Sequence, residues 1–349
     1  MKLLIVIVNY RTAPLVVDCL RSLQSEEKAV PGMKVAVVDC CSGDESVPVL
    51  SKAIADNYWR RWVSLLPLEE NAGFARGNNS AIRMAMRSAD PPQFVMLLNP
   101  DTVVRPGAVQ ALLNCLESRS EAGMAGSRLE DDFGNVQISA FRFPSILSEI
   151  ESALRFGPVT WLLARWMVAP SPPDHAVPVD WLSGASLLIR RAVLEEIGLL
   201  DEGYFMYYED VDFCRAARQA GWSCWYVPES RVVHLVSQAS GIESNIKPRP
   251  AYWFEARRRY FLKNHGLLYT AVCDAAWIAS FALWRARRAL MKKPDADPPG
   301  LLGDFIRRSV FARGRGVHRP ATSSAPPPRS VNGVLPPNVP PFSRPGKFP

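Results

Sequence analysis

Four short aliphatic runs in the first hundred residues constrain this fold more than anything else in the chain. Leu3–Val8 is apolar without a break, Val35–Asp39 is a second run that ends in an acid, Trp62–Leu68 is a weaker third, and Phe94–Leu98 is a fourth. Apolar runs without alternation are the mark of strands buried on both faces of a parallel sheet. Between and after them, Ala13–Gln24, Ala75–Ser88 and Pro106–Ser118 carry helical patterns, the last with proline near its first turn, where it is tolerated. Strand and helix in this rhythm predict an α/β class: a Rossmann-like, mostly parallel sheet flanked by helices, with right-handed crossovers.

In such sheets ligands bind beyond the carboxyl ends of the strands. Each of the four runs ends there in polar residues: Asn9-Tyr10, then Asp39, then Asn71–Arg76, then Asn99-Pro100-Asp101. Four polar clusters on one predicted edge mark it as the candidate site.

Further along, Leu129–Ala140 reads as a hairpin around Phe133-Gly134-Asn135, and Gly157–Pro178, rich in Pro and Trp, as a loop or lid. Trp181–Arg190 reads as a strand, Ala192–Ile197 and Asp210–Ala220 as helices, and Ser223–Val227 and Val232-Val233 as short strands. The chain then changes character. Residues 1–246 hold 22 basic and 29 acidic side chains, whereas residues 247–349 hold 19 basic and 5 acidic ones. An acidic body with a basic end points to nucleic acid or an anionic membrane surface as partner of that end. We therefore expect three parts: a sheet domain over 1–246, a basic amphipathic helical extension over 247–318, and a disordered Pro-rich tail over 319–349. Leu267–Trp284 is 18 residues with one acid, Asp274, at the short limit for a membrane span, and Arg and Lys follow it. A helix lying in the interface fits that pattern better, and a core helix with a solvated basic flank stands beside it.

Composition removes other classes. The hydrophobic share of 48% is ordinary for a globular chain, and no collagen period, sustained heptad or internal repeat is present. The first apolar run leads into Asn9-Tyr10-Arg11 without a small-residue cleavage site, so no signal peptide is expected. Seven scattered cysteines without a CxxC pair exclude a zinc ribbon or disulfide framework and predict reduced thiols in a cytoplasmic compartment.

Several residues could carry chemistry, each with a plainer alternative. Asn99-Pro100-Asp101 is either a turn or an oxygen-donor set for Mg2+ or Mn2+ against a diphosphate. Asp39 either caps a helix or accepts a hydrogen bond from a base N3–H or a ribose hydroxyl. In Asn71–Asn79, Gly73 and Gly77 allow close backbone approach and Arg76 could clamp phosphate, although neither GxGxxG nor GxxxxGK[ST] is present. The acids Glu209, Asp210 and Asp212 suit a helix N-terminus, and equally a general base in a partly dry cleft. His234, one of four histidines, is either structural or the nitrogen that completes a metal site. Trp181, in Trp181-Leu-Ser-Gly-Ala, is either core or a sugar-stacking platform, with Gly184 beside it.

It is the order of these segments that resembles a known family. VIVNY, VVDCCSGDES, NAGFARGNN, LLNPDT, WLSGA, GLLDEGYFMYYEDVDFCRAARQAGW and VVHLVSQASG together are similar to glycosyltransferase family 2, and within it to the rhamnosyltransferase-like branch. The resemblance spans roughly residues 1–265, with the 198–222 block its most specific part. It implies a GT-A fold and an enzyme that moves a hexose from a nucleotide diphosphate donor with inversion. It implies donor contacts from Tyr10, Asp39, Arg76, Asn99 and Asp101, and a divalent ion (Mg2+ or Mn2+) held by Asp101, Asn99 and His234. Asp210 would be the base, with Glu209 beside it, and Trp181 and Gly184 would face sugar or acceptor. The expected donor is dTDP-rhamnose, or a UDP-sugar in the alternative, and the expected acceptor a lipid-linked or polysaccharide glycan at the inner face of the membrane. A catalytically inactive nucleotide-sugar-binding homologue is the other alternative. The chain departs from the common pattern at Cys40, where Asn is usual, and at Ser80, where Gly is usual. Asn99 in place of an acid is frequent in that branch. Nucleic acid is not expected as a partner, because the body is acidic and no recognition motif is present.

Overall fold

The computed structural model describes residues 1–235, 247–295 and 297–312. The first half runs β1 (Leu3–Asn9), α1 (Ala13–Ser22), α2 (Gln24–Ala29), β2 (Met33–Asp39), α3 (Ser46–Asp56), β3 (Val63–Pro67), α4 (Gly73–Met86), β4 (Phe94–Leu98), β5 (Thr102–Val104), α5 (Ala108–Glu117) and β6 (Ala122–Glu130). It continues with β7 (Val136–Gln137), β8 (Ala140–Phe141), α6 (Ile146–Leu154), α7 (Gly157–Leu162), β9 (Val177–Val179), β10 (Trp181–Leu182), β11 (Ser186–Arg190) and α8 (Arg191–Ile197). The last elements are α9 (Glu209–Gln219), β12 (Ser223–His234), α10 (Ala251–Leu290) and α11 (Leu301–Arg308).

The main sheet has the order β3-β2-β1-β4-β11-β6-β12-β5. The four strands expected from the aliphatic runs form its parallel part, with β1 between β2 and β4. Beyond them the sheet is mixed: β11 lies antiparallel to β4 and to β6, and β12 runs parallel to β6. Leu3, Ile5 and Ile7 of β1 enter the core beneath α1, α3 and α5, and Leu4 and Val6 enter the core with α4, α8 and α9. That two-sided burial is why the run carries no polar alternation. The hairpin around Phe133-Gly134-Asn135 is present, pairing β6 with β7 through Leu129–Gln137 and Glu130–Val136.

Three local readings change. Trp181–Arg190 is two strands, because the chain leaves the ladder at Ser183-Gly184-Ala185 to form part of the candidate site. Ser223–Val227 and Val232-Val233 belong to one strand, β12, with a register shift between Val227 and Arg231. Gly157–Pro178 holds the short helix α7, whose Trp161 and Leu162 are exposed. The segments 319–349 and 236–241, the latter the end of the VVHLVSQASG motif, lie outside the described residues.

Beyond residue 247 the chain forms α10, bent at Gly266, whose backbone is non-helical at φ 80°. Glycine tolerates that left-handed φ without steric cost. The helix packs along α6 and α11, burying Phe254, Trp277 and Phe281 with Ala153, Leu301 and Phe305. A buried ion cluster pins it. Arg257, 3% exposed, donates to Glu149 of α6 at 2.6 Å and to Asp274 of α10 at 2.6 Å. Asp274 also accepts from the Val310 amide at 2.9 Å. The lone acid of the 267–284 run is thus turned inward and neutralised. Removing the guanidinium would strand two buried carboxylates, and Arg257→Met is expected to cost about 3–5 kcal/mol in chemical denaturation. A loss below about 1 kcal/mol would contradict this reading of the cluster.

Candidate active site

Asn9 and Asp39 end β1 and β2 in register, and both are buried. The Asn9 amide donates to Asp39 at 2.6 Å, and its carbonyl accepts from the Thr12 hydroxyl at 2.9 Å. Asp39 accepts further bonds from the Ser42 hydroxyl at 2.6 Å and amide at 3.1 Å. Its Oδ2 therefore keeps one lone pair for a ligand, whereas Oδ1 is already doubly bonded. Tyr10, 41% exposed, follows Asn9, with the Arg11 guanidinium 5.2 Å from its ring. Burial pushes the thiol of the next residue, Cys40, up to about 12, so it stays protonated.

The Asn71–Asn79 segment is the entry to α4. Gly73 sits at φ 89°, and a Cβ there would lie 2.0 Å from the Phe205 carbonyl. The contact is that close because the Phe74 amide donates to the same carbonyl at 2.8 Å. Arg76 points to the surface, paired with Glu70 at 2.7 Å.

At the end of β4 the expected metal residues converge. His234 closes β12 opposite Thr102, and its Nε2 lies 3.4 Å from Asp101 Oδ1 and 3.4 Å from Asn99 Nδ2. Asp101 is 3% exposed, and its buried Oδ1 has no hydrogen-bond partner. An orphaned carboxylate oxygen in a buried site is costly and calls for a cation or donor. The Asn99 amide can equally be turned so that its oxygen faces the same point, since the two orientations have the same shape. A carboxylate, an amide oxygen and an imidazole nitrogen suit Mg2+ or Mn2+. Among the described residues no group of three His, Cys, Asp or Glu forms a ready cluster, so Asn99 is needed in the set.

Glu209 and Asp210 open α9. Asp210 Oδ2 accepts from the Gly184 amide at 3.1 Å, and Oδ1 from the Val211 amide at 2.8 Å. Gly184 belongs to the break between β10 and β11, where the neighbouring Ala185 carbonyl accepts from the Asn99 amide at 3.0 Å. The break therefore touches both the candidate metal residues and the candidate base. A side chain at Gly184 would meet Phe74 at 3.4 Å and Asp210 at 3.7 Å. Trp181 stacks on Phe141 with centroids 4.1 Å apart, and its Nε1 donates to the Arg142 carbonyl at 2.9 Å. One ring face is thereby taken, which favours its core reading.

Burial raises the Asp210 carboxyl above its ordinary range, although the Gly184 and Val211 amides pull the other way. Burial first, and then the adjacent Asp210, push Glu209 well above its ordinary value of 4.5. Glu209 Oε2 is buried without a partner. Two charges cannot be kept side by side there, so Asp210, which has the amide donors, ionises and Glu209 holds a proton.

Sequence reading missed the support around the acid. Lys263 and Asn264 of α10 bond Asp212 at 2.5 and 2.7 Å, and Arg259 and Lys263 both bond Asp201 at 2.8 Å. The available signal was the cationic run Arg257–Lys263, which contains no acid.

A carboxylate whose pKa is raised by folding destabilises the protein as pH climbs from the unfolded value through the folded one. Glu209→Gln removes that penalty. Its melting temperature should exceed the wild-type value at pH 7 and converge with it at pH 4. An equal offset at both pH values would contradict the assignment.

The model of the glycosyltransferase-like family 2 matches residues 2–261. An N-acetylglucosaminyl-diphospho-decaprenol L-rhamnosyltransferase of Mycobacterium tuberculosis is 35% identical over 189 residues, which cover 51% of this chain and 61% of that protein. The aligned part is thus less than two thirds of that relative. The rhamnosyltransferase WbbL of Escherichia coli is 24% identical over 46% of this chain and 60% of its own. A low-salt glycan biosynthesis hexosyltransferase of Haloferax volcanii is 23% identical over 90% of both chains. Among solved structures, a mannosyltransferase of Pyrobaculum calidifontis in complex with GDP-Man and Mn2+ superposes with a TM-score of 0.53 at 14% identity, covering 83% of this chain and 75% of that one. TarS of S. aureus gives 0.50 at 17% identity, covering 88% and 49%. The fold is GT-A, and the chain belongs to the glycosyltransferase-like family 2.

Proposed function

We propose that this chain transfers a sugar, with inversion, from a nucleotide diphosphate donor to a hydroxyl of a lipid-linked or cell-surface glycan, and that the pair dTDP-rhamnose and a polyprenyl-diphosphate glycan fits it best. The observation that carries the proposal is a half-buried Asp210 of raised pKa on the same sheet edge as the Asn99, Asp101 and His234 group. The rhamnosyltransferase names among its relatives support the sugar, and the decaprenol-linked substrate in one of them supports the acceptor class.

In this reading Asp39 and Tyr10 receive the base and ribose, and Arg76, released from Glu70, meets the diphosphate. Asp101, Asn99 and His234 would hold a divalent ion, which supplies positive charge to the leaving diphosphate. Asp210 accepts the proton of the acceptor hydroxyl as that oxygen bonds to the anomeric carbon, and the bond to the diphosphate oxygen breaks on the opposite face. The Gly184 amide fixes the direction in which Asp210 points, and Glu209, protonated, adds no competing charge. Loss of the base should lower kcat by about 10²–10⁴-fold. Asp210→Asn is therefore expected to bind nucleotide as the wild type does while transfer falls by that factor, read by calorimetry and a radiolabelled-sugar assay. Transfer at the wild-type rate would remove Asp210 from its role.

The proposal includes a membrane surface as the place of work. Within α10, every exposed residue from Leu267 to Leu290 is Ala, Val or Leu, whereas Thr270, Asp274, Ser280 and Arg288 are buried. The inward face mixes these polar groups with Cys273, Trp277 and Phe281, while the fully exposed face is apolar throughout, unlike the polar outer face of a soluble surface helix. Exposed Lys292 and Lys293 follow the stripe. The helix is long and apolar enough to cross a membrane, but its packing on α6 and α11 favours lying along the surface. Each leucine buried in lipid contributes about 1.5–3 kcal/mol. The pair Leu268→Glu and Leu283→Glu should cut co-sedimentation with phosphatidylglycerol vesicles by at least about tenfold. Undiminished co-sedimentation would refute the surface assignment.

A further inference from the structure

Two consecutive tyrosines, Tyr207 at φ 72° and Tyr208 at φ 66°, occupy the left-handed region immediately before Glu209 and Asp210. Residues with side chains visit that region rarely, and two in succession need outside support. Tyr208 is the N-cap of α9 and makes no side-chain cap. The turn also cannot relax toward α4, because Gly73 already lies against the Phe205 backbone.

The support comes from one stripe of α10. Tyr252 stacks with Tyr207 at 6.2 Å and an interplanar angle of 20°, and lies 5.3 Å from Phe205. Tyr260 lies 5.4 Å from Tyr208. Between and beyond them, Ala256 is buried with Tyr204 and Val211. Arg259 lies over the Tyr204 ring at 5.3 Å, and Lys263 ties Asp201 before the turn to Asp212 after it. Positions 252, 256, 259, 260 and 263 recur at helical spacing, so a single face follows the 201–212 segment along its length.

We propose that Tyr252 and Tyr260 are positioning residues for the reaction: by clasping Tyr207 and Tyr208 in their left-handed turn they aim Asp210 at the acceptor. The proposal rests on the reading of Asp210 as base. Tyr252 and Tyr260 make their ring contacts with Phe205, Tyr207 and Tyr208 of the turn. Their rings act through the turn, and ring shape rather than the hydroxyl does the work.

The test uses the full-length protein in three forms: wild type, Tyr252→Ala and Tyr252→Phe. Hydrogen–deuterium exchange reads the amides of 203–212 directly, without any sugar. Tyr252→Ala should speed exchange there by at least tenfold while β1 and β4 stay as in the wild type, and Tyr252→Phe should restore protection. With dTDP-rhamnose and a polyprenyl-diphosphate acceptor, kcat of the alanine variant should fall at least tenfold, donor affinity should hold within twofold, and phenylalanine should rescue turnover. If Tyr252→Ala does not fold, Tyr252→Leu replaces it, keeping bulk without the ring, with the same expectations. Wild-type exchange at 203–212, or wild-type kcat, in the ring-deleted variant would overturn the proposal. A wild-type enzyme inert toward every donor would overturn the functional reading, and the exchange result would still decide the clasp.

Discussion

The hydrogen bond from the Gly184 amide to Asp210 fixes the acid against the β10–β11 break, where Leu182 already packs on Phe213 and Cys214 of α9 and Asp180 pairs with Arg218. The break is fixed by the ladder to β4 and hence lies beside Asn99. The entry to α9 is reached through a left-handed turn. Once they are joined, the carboxylate stands at the carboxyl edge of the parallel strands. The Asn9–Asp39 pair, Asn99, Asp101 and His234 lie along that same edge. A Cβ at Gly184 would touch Phe74 at 3.4 Å and Asp210 at 3.7 Å, ordinary van der Waals distances, so what the position supplies is its backbone amide.

The parallel half of the sheet was legible because burial on both faces leaves a plain signal in sequence, and the ends of β1, β2 and β4 fell where the aliphatic runs stop. The strand-end polar residues followed from the same logic. The mixed half was less legible. The split at Ser183–Ala185 and the bulged length of β12 are dictated by partners distant in the chain, which no local pattern records. Asp274 is the sharpest case. Read along the sequence it is a charge in an apolar run; in the structure it faces Arg257, which in turn holds Glu149, 108 residues away. The roles of Lys263 and Asn264 were hidden for the same reason, although the cationic run that contains Lys263 was visible.

The long helix has two characters, divided at Gly266. Before the bend it carries the side chains that hold the 201–212 segment. After it, the helix buries Trp277 and Phe281 together with Thr270, Asp274 and Ser280, and its fully exposed residues are alanine, valine and leucine. In the proposed reading, a membrane-lying stretch and a clasp on the candidate base belong to one helix bent at Gly266, which would put a lipid surface and the chemistry on a short mechanical path. In the same reading, the exposed Lys292 and Lys293 flank an apolar stripe suited to an anionic membrane surface.

The most direct test of nucleotide-dependent transfer is thermal unfolding of the full chain with TDP, UDP, GDP and CMP, each with and without Mn2+. A ligand at about 100 times its Kd adds about 2.7 kcal/mol to stability, which moves the melting point visibly. The account predicts a clear rise with TDP that requires Mn2+ and disappears when Asp101 is replaced by alanine. No rise with any nucleotide, with or without the ion, would contradict it.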